Sequence, residues 1–79
     1  MKVKRNKKYK GLIDSKILKD YLFIDCDFSE VIFSGCYIKH CFFVNCDGLI
    51  KKEGYTFCNS NLKDCFIELK YRRNKNDSI

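Results

Sequence analysis

Six cysteines, one histidine and ten carboxylates are the residues of this 79-residue chain whose chemistry could matter most. A structural zinc site wants close Cys-x-x-Cys pairs, ideally two of them. Here Cys36, Cys41 and Cys46 stand five apart and no such pair exists. A disulfide framework belongs to an oxidising compartment, and no apolar signal core follows the basic first residues. His40 has no cysteine or acid in an obvious constellation with it. Ser/His/Asp patterns, Gly-rich phosphate loops and paired carboxylates in a plausible pocket are also missing. The expectation is a non-enzymatic protein with no metal and no cofactor. The cysteines then need a different explanation, and their spacing supplies it: Cys26, Cys36, Cys41, Cys46 and Cys65 share one column of a short repeat, where Cys acts as a compact hydrophobe. Cys58 lies off that column.

The repeat has a strict period of five. Phe23, Phe28, Phe33, Ile38 and Phe43 are equally spaced, and Cys26, Val31, Cys36 and Cys41 each precede a centre by two. Cys46 continues the small column. Neither the helical period of 3.6 nor the strand period of 2 produces this pattern, and a fixed short repeat decides architecture before any local propensity does. The rhythm breaks between Gly48 and Gly54, where Lys51, Lys52 and Glu53 cannot supply an inward pair, so residues 49–54 are expected to form a loop. It resumes at Phe57, Leu62 and Ile67, with Tyr55, Ser60 and Cys65 two before them.

Cys26-Asp27-Phe28-Ser29-Glu30, Val31-Ile32-Phe33-Ser34-Gly35, Cys36-Tyr37-Ile38-Lys39-His40 and Cys41-Phe42-Phe43-Val44-Asn45 resemble the pentapeptide-repeat family. The resemblance is good for residues 21–48 and fair for 55–69. It implies an all-β fold, a right-handed quadrilateral β-helix of about two coils with one pentapeptide per face. It also implies a core of Phe23, Cys26, Phe28, Val31, Phe33, Cys36, Ile38, Cys41, Phe43, Cys46, Phe57, Leu62, Cys65 and Ile67, the other positions facing outward.

Outside the repeats the chain divides by charge and period. Residues 1–19 carry eight Lys/Arg against Asp14 alone, residues 20–47 are acidic by four, and residues 70–79 add a basic tail. Residues 1–11, with Lys2, Lys4, Arg5, Lys7, Lys8 and Lys10, are expected to form a solvated basic arm. At 12–20 the spacing of Ile13, Ile17 and Tyr21, with Leu18 and Leu22 beside them, fits a short helix capping the open end, Asp14 or Ser15 being its N-cap. The rival assignment runs the five-residue rhythm backwards through Ile13 and Leu18. It requires Gly11 and Lys16 at the small inward position, and an unpaired ammonium is costly to bury.

Residues twenty apart stack on one face, one coil up. Leu22 then lies on Phe42 and Ile24 on Val44, which makes an apolar outer face that calls for a cover. Asp25, Asp27, Glu30 and Asp47 form an acidic face. With no apolar run long enough to cross a membrane, these surfaces point to a cytoplasmic, protein-binding chain that also self-associates as a homodimer. Resemblance adds that relatives protect or inhibit gyrase and mimic duplex DNA. Together with the small, Lys/Asn/Ile-rich character of mobile-element proteins, this implies an inhibitor, phage-encoded and anti-defence in kind, acting in the host cytoplasm. It would dock on a nucleic-acid-handling machine such as a defence nuclease or topoisomerase. Two alternatives stand beside it. One is direct DNA or RNA binding through the tails, with Tyr9, Tyr71, Arg72 and Arg73 supplying charge and stacking. The other is a structural module that assembles end to end.

Overall fold

The computed structural model describes residues 1–51 and 54–70, and the side chains of 50–55 are left aside. Among the described residues it is all-β, without helices, a parallel β-solenoid of about three turns. In chain order the strands are β1 (Lys2–Arg5), β2 (Lys8–Asp14), β3 (Ile17–Lys19), β4 (Tyr21–Ile24), β5 (Asp27–Ser34), β6 (Tyr37–Lys39), β7 (Phe42–Cys46), β8 (Ile50–Lys51), β9 (Gly54–Tyr55), β10 (Phe57–Cys58), β11 (Asn61–Lys63) and β12 (Phe66–Leu69). Parallel ladders join them as β1-β4-β7-β12, β2-β5-β10 and β3-β6-β11. The strands β2 and β5 are long because each carries two inward centres, Tyr9 and Ile13 in one, Phe28 and Phe33 in the other.

The corners explain why the chain turns every five residues. Asn6, Ser15, Asp20, Asp25, His40, Asn45, Asn59 and Asp64 all have positive φ, as does Gly35 at φ 60°. Each stands two residues after an inward centre. Asn, Asp and Gly enter this left-handed region most cheaply. Side chains then tie corners of successive coils together: Asn45 Nδ2 donates to Asp25 Oδ1 at 2.6 Å, and His40 Nδ1 donates to Asp20 Oδ1 at 2.7 Å.

Inside, the bulky centres stack. Phe23 lies on Phe43 with ring centroids 5.1 Å apart, Phe33 on Phe57 at 5.0 Å, and Tyr9 on Phe28 at 5.2 Å. Phe23 and Phe28 meet edge to face at 5.2 Å, the offset geometry that ring quadrupoles favour. The small column fits between coils because each thiol is short and can point at a carbonyl of the coil below. Cys36 Sγ donates to Ile13 O at 3.2 Å, Cys46 Sγ to Phe23 O at 3.5 Å, and Cys65 Sγ to Ile38 O at 3.4 Å. Phe23, Cys26, Phe28, Val31, Phe33, Cys36, Ile38, Cys41, Phe43 and Cys46 are buried as expected. Phe57, Leu62 and Cys65 are partly buried. Ile67 is not part of the sealed core: it is 38% exposed, since among the described residues no further coil covers β12.

Three expectations need correction. The helix over 12–20 does not form. Ile13 pairs with Phe33 and Leu18 with Ile38, so these residues are strands of a complete first coil. Lys16 costs little at its inward register because it lies in the terminal coil and remains exposed to water. Residues 2–5 and 8–11 are not a free arm either, for β1 pairs with β4 and β2 with β5. The count of about two coils therefore becomes about three.

The loop also begins later than the rhythm implied. Leu49 is fully buried, taking the place of a repeat centre, and the chain then turns back as the antiparallel β8–β9 pair. Residues 52 and 53, the middle of the expected loop, lie outside the described residues. The detour leaves Phe57 paired with Phe33, 24 residues back, where earlier coils advance by 19 or 20. Thr56 is buried on return, its Oγ1 donating to Gly48 O at 2.6 Å.

Candidate functional site

The first sheet presents an outward column of apolar side chains. Register places Val3, Leu22, Phe42 and Phe66 side by side across β1, β4, β7 and β12, with Ile24 and Val44 paired in the adjacent column. These are the outward residues of strands whose inward partners, Phe23 and Phe43, fill the core, so the pleat itself lines them up. Leu22, Ile24, Phe42 and Val44 are half-buried by one another. Val3 and Phe66, at the two ends, are 47% and 49% exposed. The His40 ring meets Phe42 edge-on at 5.1 Å and closes one side of the column. The stacking of Leu22 on Phe42 and of Ile24 on Val44 matches the twenty-residue rule, whereas Val3 and Phe66 were legible only to a reader who carried the rhythm into both ends.

A second apolar area went unread for the same reason. Leu12 pairs with Ile32 on the outside of the second sheet, and Ile17 stands near the corner that follows. Leu12 and Ile17 are 67% and 74% exposed, the most open large hydrophobic side chains among the described residues. Assigning residues 12–20 to a helix hid them.

The acidic face is less uniform than its sequence implies. Asp25 sits at a corner and accepts the Asn45 amide, and the Asp27 carboxylate accepts the Ser29 backbone N–H at 2.8 Å. Asp27 and Asp47 occupy facing positions in a parallel bridge. Glu30 lies 2.8 Å from the Lys8 ammonium, because β2 brings Lys8 and Lys10 alongside Asp27 and Glu30. The Lys8 hydrogen bond and charge hold the Glu30 carboxyl below the usual carboxylate range, and the hydrogen bond and charge of Glu30 push the Lys8 ammonium up. The Asp20 carboxyl is lowered likewise, first by its hydrogen bond from His40.

The basic residues Lys2, Lys4, Arg5, Lys8 and Lys10 project from ordered strands, and Lys7 lies between two of them. The Lys2 ammonium lies over the Tyr21 ring, 5.2 Å from its centroid. Arg72 and Arg73 lie outside the described residues. The basic strands surround an apolar depression of about 200 Å³ at the mouth of the first coil, with Tyr9, Ile13, Leu18, Phe23 and Phe28 in its wall and Lys4 beside it. Burial pushes the Tyr9 phenol up.

No disulfide joins the described cysteines, and among the described residues no cluster of three or more His, Cys, Asp or Glu side chains could hold a metal. Burial raises the Cys41 thiol and pushes the Cys46 thiol up to about 11, the direction that keeps a thiol protonated and unreactive. What the outer surface offers is contact area, apolar on two faces and charged at one end. Comparison of the chain with protein-family models, with curated proteins and with solved structures returns no match.

Proposed function

We propose that this chain is a pentapeptide-repeat protein and a non-enzymatic protein-binding module, whose docking surface is the outer face of the first sheet. The observation that carries this is the in-register column Val3, Leu22, Phe42 and Phe66, flanked by Ile24 and Val44. A contiguous apolar stripe across four strands is unfavourable in water and is a common mark of an interface. The repeats themselves and the solenoid of about three turns support the family assignment. An inhibitor seated on a nucleic-acid-handling machine fits the charge layout, since a stripe docked on such a partner leaves the basic first coil free to reach bound phosphate. The Lys8–Glu30 pair neutralises part of the acidic face, so recognition rests on the stripe more than on mimicry of duplex DNA. A homodimer through the same stripe is the form this surface takes if no other partner covers it.

Affinity capture from lysate, with and without nuclease, tests the proposal when wild type is run beside the double variant Leu22→Thr, Phe42→Thr. Threonine keeps the β propensity while removing the apolar contact. A protein retained after nuclease treatment and lost with the variant is the expected result. Equal capture by both chains would overturn the docking surface, and light scattering that shows only monomer across a concentration series would remove the homodimer.

Direct nucleic-acid binding earns consideration from one observation: the N-terminal lysines are fixed on β1 and β2 rather than on a loose arm. Capture that vanishes with nuclease and weakens steeply with salt would favour it.

A further inference from the structure

The mouth of the first coil is a second surface, separate from the outer stripe, and it has three properties at once. β1, β2 and β3 each have a strand neighbour on one side only among the described residues. An edge of this kind presents unpaired N–H and C=O groups along its length. The mouth is apolar within, a depression of about 200 Å³. Its rim is strongly basic, for residues 1–19 carry eight Lys/Arg against Asp14. A second copy meeting this end mouth to mouth would bring two basic rims together, so the charge argues for an occupant of opposite sign.

The other side of β2 shows what such an occupant looks like. β5 pairs with it in parallel, placing Asp27 opposite Lys8 and Glu30 opposite Lys10 on the outside. Inside, Phe28 stacks on Tyr9 at 5.2 Å and Phe33 pairs with Ile13. The Lys8–Glu30 ion pair at 2.8 Å completes the match. Because successive strands of a solenoid repeat the same inward and outward positions, the uncovered edge of β2 offers lysines outward and apolar side chains inward once more.

We propose that the edge of β2 binds an extended acidic segment of a partner protein by parallel strand addition. The inward apolar side chains of the segment fill the mouth, and its carboxylates face Lys8 and Lys10. Main-chain hydrogen bonds supply affinity in this mode, and alternate side chains supply selectivity. The segment follows the pattern of β5 itself, acidic–apolar–x–acidic–small–x–apolar. In a second copy β5 is enclosed between β2 and β10, so the segment comes from a different protein.

The test uses the full chain and a capped peptide of the β5 sequence, Asp-Phe-Ser-Glu-Val-Ile-Phe-Ser, labelled for fluorescence anisotropy. Expected is saturable binding that weakens several-fold between about 50 and 300 mM salt. Amide shifts should concentrate on residues 8–14 and spare β7. The double variant Lys8→Glu, Lys10→Glu should bind the peptide at least tenfold more weakly, with an unchanged circular dichroism spectrum. A peptide with lysine in place of both acids should bind this variant and not the wild type, a rescue that misfolding could not produce. No binding at millimolar peptide would overturn the proposal. So would equal binding of a scrambled peptide of the same charge, or equal binding by the variant. A duplex DNA that binds more tightly than the peptide, and is lost in the same variant, would make the coil a phosphate surface instead. Each of these failures leaves the outer stripe untouched.

Discussion

The first and second coils have nearly the same backbone and quite different interiors. In the second coil the inward residues Phe23, Phe28, Phe33 and Ile38 are buried, and Cys26, Val31, Cys36 and Cys41 fill the spaces between. In the first coil the matching registers hold Lys4, Tyr9, Ile13 and Leu18, none of them sealed from water. Both coils turn on the same left-handed corners, Ser15 and Asp20 in one, Gly35 and His40 in the next. A solenoid coil is therefore specified by its corners and its ladder, while core quality depends on being stacked from both sides. That is why a lysine is tolerated at one end and a phenylalanine is required one coil up.

The sharpest way to break the comparison is to truncate a centre in each coil. Phe33→Ala should cost about 3–5 kcal/mol, since the ring is fully buried against Phe57 and Phe28. Leu18→Ala, at a partly buried centre, should cost under about 2 kcal/mol, the low edge of the range for core leucines. Urea titrations of the two variants check this, and equal midpoints would mean the first coil is sealed in solution.

Corners provide the next contrast. A Cβ at Gly48, where φ is +79°, would overlap the Ser29 backbone and the Phe28 carbonyl carbon, so Gly48→Ala should cost about 2–4 kcal/mol from overlap and the left-handed φ together. At Gly35 the nearest atom to such a Cβ is Ser15 Oγ at 3.7 Å. Gly35→Ala should then show only the backbone cost, about 1–2 kcal/mol. Thermal melts of the pair separate the two contributions.

A smaller effect comes from alkali. The Cys46 thiol has its folded pKa raised to about 11 by burial, against about 8.5 when unfolded. Unfolded chain therefore loses this proton first, and stability should fall as pH rises from about 8.5 towards 11, by about 3 kcal/mol over the whole range. Cys41, raised in the same direction, adds to the slope. Cys46→Ala should flatten it when midpoints are measured at pH 8 and pH 10.5. A thiol reagent at pH 8 should modify exposed Cys58 well before Cys46.

The smallest change expected is at the surface pair. Lys8 and Glu30 are both more than half exposed, so water screens the pair and Glu30→Gln should shift the unfolding midpoint least of these variants. The Glu30 carboxyl is depressed, so whatever the pair contributes is present above the unfolded carboxyl pKa of about 4.3 and fades as pH falls through the lower folded value. A pH titration of the variant beside wild type measures it.

Much of this was readable in advance and some was not, for identifiable reasons. The period of five, carried by Phe23 to Phe43, foretold the solenoid and ten of its buried residues. The same period ran backwards through Ile13 and Leu18, but a helical spacing at Ile13, Ile17 and Tyr21 competed with it. The deciding signal was present and unused: Asn6, Ser15 and Asp20 stand two residues after Lys4, Ile13 and Leu18, where the corner needs positive φ. Leu49 and Thr56 were hidden differently, because the detour between them destroys the spacing that marks the inward residues from Phe23 to Phe43.

The order of side chains along the chain determined the coil, since a pentapeptide with one large, one small and one corner residue closes a face whatever lies above or below it. Only the stacked structure decided which lysine meets which carboxylate, which apolar residues share the outer face, and which end stays open. Those depend on a register of 19, 20 or 24 residues between coils. That register is set by the insertions between repeats and by the packing of each coil on the next.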